Sequence, residues 1–277
     1  MSIRNQSDIT IIKPSKGWLS LKLAELWRHR ELFYFLAWRD IKVRYKQTIL
    51  GVAWAVINPV MQMAVWAFVF GKIAKLPSQG IPYVLVTLSG TLVWSYFSEI
   101  VNGSSGSLIT NTNLITKIYF PRIIIPLSIA LRALLDFAIA FLVFMVMALY
   151  FKVTPSYLIF VMPFFILTTT LTAVGFGLWV AAVSVKYRDL AKILPYFIQI
   201  VFFLTPVAYL NSVIPQKYQW LYYFNPIAGA IEGFRWSLLG TYAFWPRILL
   251  SSILALTLFV FGVIYFRGME KTFADTI

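Results

Sequence analysis

Cysteine is absent from the 277 residues, which excludes disulfides, thiol nucleophiles and cysteine metal sites together. Histidine occurs once, as His29, among cations and far in sequence from any metal partner, so a solvated or interfacial role is expected and no metal site. Only ten Asp and Glu are present, mostly scattered, which weighs against the metal-nucleotide site that a membrane glycosyltransferase would ordinarily need. No GxxxxGK followed by Ser or Thr occurs, so this chain has no phosphate loop and any ATP that drives it must bind a partner. Residues 1–17 lack the apolar core and small-residue cleavage site of a signal peptide, and targeting is expected to rest on the first transmembrane helix. No catalytic constellation stands out, which points away from a self-contained enzyme.

Charge is scarce as well. Charged residues are 12% of the chain and hydrophobic ones 60%, with mean hydropathy +0.78, against about 25% and about 45–50% in soluble domains. An all-α integral membrane protein is predicted, with six transmembrane helices over 49–71, 82–101, 122–150, 157–183, 193–210 and 245–266. A cytoplasmic segment, 1–48, precedes a single membrane domain, 49–277. The net charge of +14 sits at span ends rather than on a soluble basic face, which argues for membrane topology and against nucleic acid. Seventeen of the 24 Lys and Arg fall on one side, ten of them before the first span (Arg4 to Lys46), so both termini are expected in the cytoplasm.

Three irregular stretches carry more information than the spans. Residues 22–46 hold no Pro or Gly and place Trp27, Tyr34, Trp38, Ile41 and Tyr45 on one helical stripe, with Arg28, Arg39, Lys42 and Lys46 roughly 100° round the axis. That is the pattern of an interfacial amphipathic helix, serving as a membrane anchor, as a grip for a cytosolic partner, or as both. After the second span, a small polar run gives way to Leu108, Ile109, Leu114, Ile115 and Ile118, with Pro121 disfavouring helix at Phe120. A short helix lying on the cytoplasmic surface, or a plain connecting loop, fits this stretch. Farther on, Asn225-Pro226 starts a helix that Gly240 stops. The fourteen residues Pro226 to Leu239 rise only about 21 Å, short of the ~30 Å hydrocarbon core. An external re-entrant or interfacial helix pair between spans five and six is the expected solution.

Ionisable groups inside spans are costly and mark either a structural pair or a pathway. Glu99, Arg132 and Asp136 are such a set, either a buried ion cluster with Glu99 facing Arg132 or a direct participant in transport. Glu232 and Arg235, three apart, are expected to pair with each other. Gly229 and Gly233 have the spacing of a close helix approach. Aromatic residues make up 18% of the chain, more than interfacial belts need. Trp54, Trp66, Trp94, Tyr96, Phe97, Phe202 and Phe203 are either lipid-facing and packed or the lining of a pore whose rings stack on sugar faces.

Several strings resemble one family, the type 2 ABC-transporter permeases that export polysaccharides and polyol phosphates, including O-antigen (lipopolysaccharide), capsule and teichoic acid. They are Arg39-Asp40-Ile41-Lys42-Val43-Arg44-Tyr45-Lys46 with Leu50-Gly51, and Asn113-Leu114-Ile115-Thr116-Lys117-Ile118-Tyr119-Phe120-Pro121-Arg122. To these add Tyr187-Arg188-Asp189-Leu190, Phe202-Phe203-Leu204-Thr205-Pro206-Val207, and Asn225-Pro226 with Arg235. The resemblance implies a homodimeric permease in the bacterial cytoplasmic (inner) membrane, clamped to two copies of a cytosolic ATPase that binds ATP and Mg. It implies a coupling helix near 106–117 that works with the interfacial helix, which assigns Leu108, Asn113, Leu114, Ile115, Lys117, Arg39 and Lys42 to ATPase coupling. It makes Asn225, Pro226, Glu232 and Arg235 parts of an external gate. The expected cargo is a polysaccharide or an undecaprenyl-diphosphate-linked glycan, whose diphosphate Arg28, Arg39 and Arg44 would attract. A related permease exporting a small drug or lipid is the alternative, and a membrane glycosyltransferase a remote one.

Overall fold

A computed structural model describes residues 23–46, 51, 53–270 and 273. Arg4 and Leu50, named above, and Lys13, Lys16, Lys22 and Lys271, which are among the seventeen cations counted on one side, lie outside the described residues.

The described chain is helical. A short helix α1 (Leu23–Arg28) and α2 (Arg30–Lys46) meet at His29, whose N–H closes back on Leu26 O at 3.2 Å, so the expected single helix is broken by a tight turn. Helix α3 (Ala53–Trp66) continues as π-helical turns to Ile73. Then come α4 (Tyr83–Ser105), the short α5 (Ser107–Thr110) and α6 (Thr112–Lys117), and the long α7 (Ile124–Tyr150). A 3-10 turn leads into α8 (Met162–Lys186), followed by α9 (Asp189–Leu204). The pair α10 (Gln216–Tyr223) and α11 (Pro226–Leu239) precedes α12 (Trp245–Met269).

Among the described residues five segments, Ala53–Ile73, Tyr83–Ser105, Ile124–Tyr150, Tyr157–Lys186 and Trp245–Met269, are long and apolar enough to cross a bilayer. The expected fifth span, 193–210, differs. Helix α9 begins earlier, at Asp189, and stops at Leu204, so its 16 residues rise only about 24 Å. Pro206 disfavours helix at Thr205, and the carbonyls of Pro206, Val207 and Tyr209 are drawn off to a side chain of α11 rather than into a helical ladder.

Helix α4 is the axis of the bundle. Its apolar window is 78% buried, against 6% for the segment Ala53–Ile73, so α4 is the core helix while α3 covers one flank. It packs on α7, α8, α11, α3 and α9, and α12 closes against α8 and α11. Helices α8 and α12 approach most closely at Gly175 and Gly262, where a Cβ on either would overlap the other's backbone. The two spaced glycines of α11 serve two neighbours. Gly229 admits Ser251 of α12, and Gly233 admits the ring of Phe165 of α8. Helix α11 is thereby wedged between them, capped by the Asn225 side chain accepting from Ile227 N at 3.1 Å and ended by Gly240 at φ 66°.

Candidate functional site

Three places bring predicted residues together. The first is an ion cluster where α2, α4 and α7 meet. Arg132 and Asp136 stand one turn apart on α7, and Arg132 Nη2 donates to Glu99 Oε1 of α4 at 2.9 Å. Arg44, from the last turn of α2, also donates to Glu99 Oε1, and lies 3.1 Å from Asp136 Oδ2 without the alignment of a hydrogen bond. The hydroxyl of Tyr45 donates to Asp136 Oδ1. Burial works against the Arg44 charge, but the bond to Glu99 and the field of both carboxylates overcome it and raise its pKa, so the guanidinium stays charged. Burial, then the bond to Asp136, pushes the Tyr45 hydroxyl up, which keeps it a donor.

This cluster forms one wall of a cavity of about 400 Å³ between α3, α4 and α7. Trp54, Asn58, Gln62, Ser95 and Asn102 are among the residues that add to its polar lining. Two arginines face two carboxylates, so their formal charges cancel. Asn102 Oδ1 and Arg132 Nε are buried there without a hydrogen-bond partner.

The second place is the joint between α2 and the α5–α6 bridge. Arg39 Nη2 donates to Asp40 Oδ1 at 2.8 Å and to Asn111 Oδ1 at 3.1 Å. Leu108 and Ile115 are buried and hold the bridge on the bundle, Leu114 is half-buried, and Asn113 and Lys117 are exposed. Ile118 and Tyr119 stand exposed beside them, at 53% and 64%, an apolar extension of the same surface. Lys42 lies over the ring of Trp38. Trp27, Tyr34 and Trp38 form an exposed row, whereas α2 buries its other face, Leu36 and Ala37, as it packs along α7. The three arginines expected to attract a diphosphate are not brought together. Arg28 is exposed at the end of α1, Arg39 is tied to the bridge and Arg44 belongs to the ion cluster.

The third place is the α11 hairpin. The expected Glu232–Arg235 pair does not form, because each side chain takes other partners. Arg235 is fully enclosed and donates to the carbonyls of Pro206 at 2.7 Å, Tyr209 and Val86 at 2.9 Å each, to Val207 O, and to Ser89 Oγ at 3.2 Å. Gly90 makes room for this, since a Cβ there would overlap Val207 O and Arg235 Nη2. Glu232 instead accepts from Asn211 Nδ2 at 3.3 Å and Phe244 N at 3.4 Å. Asn225, besides capping α11, donates to Thr205 Oγ1 at 2.8 Å, and Pro226 occupies the first turn.

Most of the aromatic candidates pack on one another. Trp66 of α3 meets Phe202 and Phe203 of α9 at 5.0 and 5.9 Å, and Trp94 meets Phe97 and Phe202 at 5.4 and 5.6 Å. Tyr96 packs on Phe137 and shares a 2.9 Å hydrogen bond with Thr170. Trp94, Tyr96, Phe97 and Phe202 are buried, so of these candidates Trp54 and Phe203 present an exposed ring and Trp66 a half-buried one. Sequence reasoning gave no individual role to Asn111, Asn211 or Arg247. Their partners lie on other elements, and nothing in their local spacing marks them.

Comparison with known proteins follows the same outline. The chain matches the family described as ABC-2 type transporter over residues 31–239. It is 27% identical over 248 residues to an O-antigen export system permease protein, RfbA, of Klebsiella pneumoniae, covering 89% of this chain and 95% of that protein. The RfbA protein of Myxococcus xanthus is 28% identical over 193 residues, 70% of this chain and 74% of its own length. The polysialic acid transport protein KpsM of Escherichia coli is 27% identical over 201 residues, 70% and 76%.

Proposed function

The chain belongs to the ABC-2 type transporter family, and on that premise we propose that it is the membrane subunit of an ATP-driven exporter whose cargo is a polysaccharide. One observation carries the reading of cargo. The similarity to permeases named for O-antigen export and polysialic acid transport runs along most of this chain and of theirs. Two permease copies stand on two cytosolic ATPase subunits, which hold the ATP and Mg that this chain has no loop to bind. Both termini face the cytoplasm, the α5–α6 end faces the ATPase, and the α10–α11 end faces outward in the inner membrane. Helix α9 acts as a sixth, short span that the hairpin completes, and residues 49–277 work as one membrane domain behind the 1–48 segment. The exposed flank of α3 and the exposed face of α9 (Ile193, Tyr196, Ile200, Phe203) meet the second copy and border the path of the glycan, carried as a lipid diphosphate.

Motion enters at the bridge. A push on exposed Asn113, Lys117, Ile118 and Tyr119 reaches α2 through the Asn111–Arg39 bond. Arg44, near the far end of the same helix, then pulls on Glu99 of α4 and Asp136 of α7, so the bridge and the spans move as one train. Deleting the gene in a host that displays the glycan, then restoring it, tests the cargo. Loss and return of surface glycan supports the reading, and an unchanged glycan coat with altered resistance to small amphipathic compounds sinks it.

A further inference from the structure

At the outer end, a cavity of about 570 Å³ opens between the α10–α11 hairpin, the loop before it and the start of α12. Small-molecule sites run about 300–1,000 Å³. Its walls include Asn211, Gln219, Glu232, Phe244 and Arg247. None of these belongs to the ion cluster or to the cytoplasmic joint. We infer that this cavity is a saccharide-binding site that holds a pyranose unit of the exported chain as it leaves the membrane, an inference that rests on the polysaccharide reading above.

The chemistry favours a hydroxyl-rich, ring-shaped ligand over its competitors. A carboxylate has acceptor sites for about four hydrogens, yet Glu232 takes only two long bonds, 3.3 and 3.4 Å, and so keeps capacity for a pair of neighbouring hydroxyls. Asn211 Oδ1 and Arg247 Nε, an acceptor and a donor, are buried at the same wall with no partner. A metal cation is disfavoured because one carboxylate stands against two guanidiniums, Arg235 and Arg247. A phosphate is disfavoured because neither guanidinium is free to fork onto it. Arg235 spends its donors on four carbonyls and Ser89. Arg247 bonds Gln219 and lies over the rings of Trp220, Tyr223 and Phe244, with Phe244 at 4.7 Å. That leaves the amides of Asn211 and Gln219, the Glu232 carboxylate and the exposed ring of Tyr242, groups that bind the hydroxyl edges and apolar CH face of a pyranose.

The test uses the full chain in lipid nanodiscs and saturation-transfer NMR with five probes, the methyl pyranosides of glucose, mannose and galactose, N-acetylglucosamine and glucuronate. Transfer to the ring protons of at least one probe is expected, saturating in the millimolar range. It should fall at least about fivefold, a loss of about 1 kcal/mol, in Asn211→Ala and in Gln219→Ala, each melting as the parent does. Asn58→Ala, in the other polar cavity, should leave it unchanged. No transfer to any probe overturns the site, as does transfer that survives both variants or is lost in Asn58→Ala. Failure here with glycan export intact in cells leaves the exporter reading standing, whereas an unaltered glycan coat after gene deletion removes that reading and not the binding result.

Discussion

Arg39 and Asn111 stand 72 positions apart in the chain, yet Arg39 Nη2 reaches Asn111 Oδ1 at 3.1 Å and ties α2 to the turn between α5 and α6. The contact is partly exposed, so its worth to stability is small, about 0–1 kcal/mol. Asn111→Ala should therefore leave melting nearly unchanged while export per ATP hydrolysed drops several-fold. Asn111→Asp, which keeps the acceptor, should retain coupling. Equal export per ATP in Asn111→Ala would remove the joint from the mechanism.

The ion cluster should behave oppositely. Glu99 and Arg132 keep only 22% and 19% of their side-chain exposure, so Arg132→Ala leaves a carboxylate poorly paired at depth. A loss of about 3 kcal/mol is expected, the low end for a broken buried pair, because Arg44 still bonds Glu99. The double variant Glu99→Gln/Arg132→Gln should recover part of it in thermal unfolding in detergent. Parent-like melting of Arg132→Ala with lost export would assign the cluster a direct part in transport instead.

Gly90→Ala places a methyl group where Val207 O and Arg235 Nη2 already lie. The cost is expected near 1–3 kcal/mol, that of overpacking. Loosening of the 205–210 loop should follow, read as faster amide exchange there. Arg235→Lys should loosen the same loop, since one ammonium has three hydrogens for a site that uses five bonds.

Burial pushes the Glu232 carboxyl from its ordinary 4.5 up to about 7, with the Phe244 N–H and both arginines only partly opposing it. The folded chain thus binds this proton more tightly than the unfolded one. Stability contributed by the proton is present at low pH and is lost as pH rises from about 4.5 through about 7, beyond which the slope levels off. Glu232→Gln should flatten that part of the melting profile between pH 5 and 8. An unchanged slope would mean the carboxyl titrates normally.

Helix α11 shows how much was legible and how much was not. Its start at Asn225-Pro226, its stop at Gly240 and its insufficient length were readable, because caps and rise per residue are local properties. The partners of Glu232 and Arg235 were not, since three-residue spacing says only that two side chains share a face. Arg235 found a denser set of acceptors in a loop that Pro206 had freed from α9. The same break ended α9 at Leu204 and kept it below spanning length, where hydropathy alone ran the span on to residue 210. The meeting of Glu99 with Arg132 was foreseeable because the spans that carry them are joined at one end, whereas Arg44 and Tyr45 joining them depended on how α2 lies against α7.

Composition and span lengths by themselves determined that this chain lives in a bilayer, because transfer of side chains out of water is additive along the sequence. The short strings of residues also held the family. Which rings stay exposed, which arginine closes the ion cluster and which holds the outer hairpin were decided only in the folded chain. Directional bonds between helices depend on crossing, rotation and loop path, and no one-dimensional period records those.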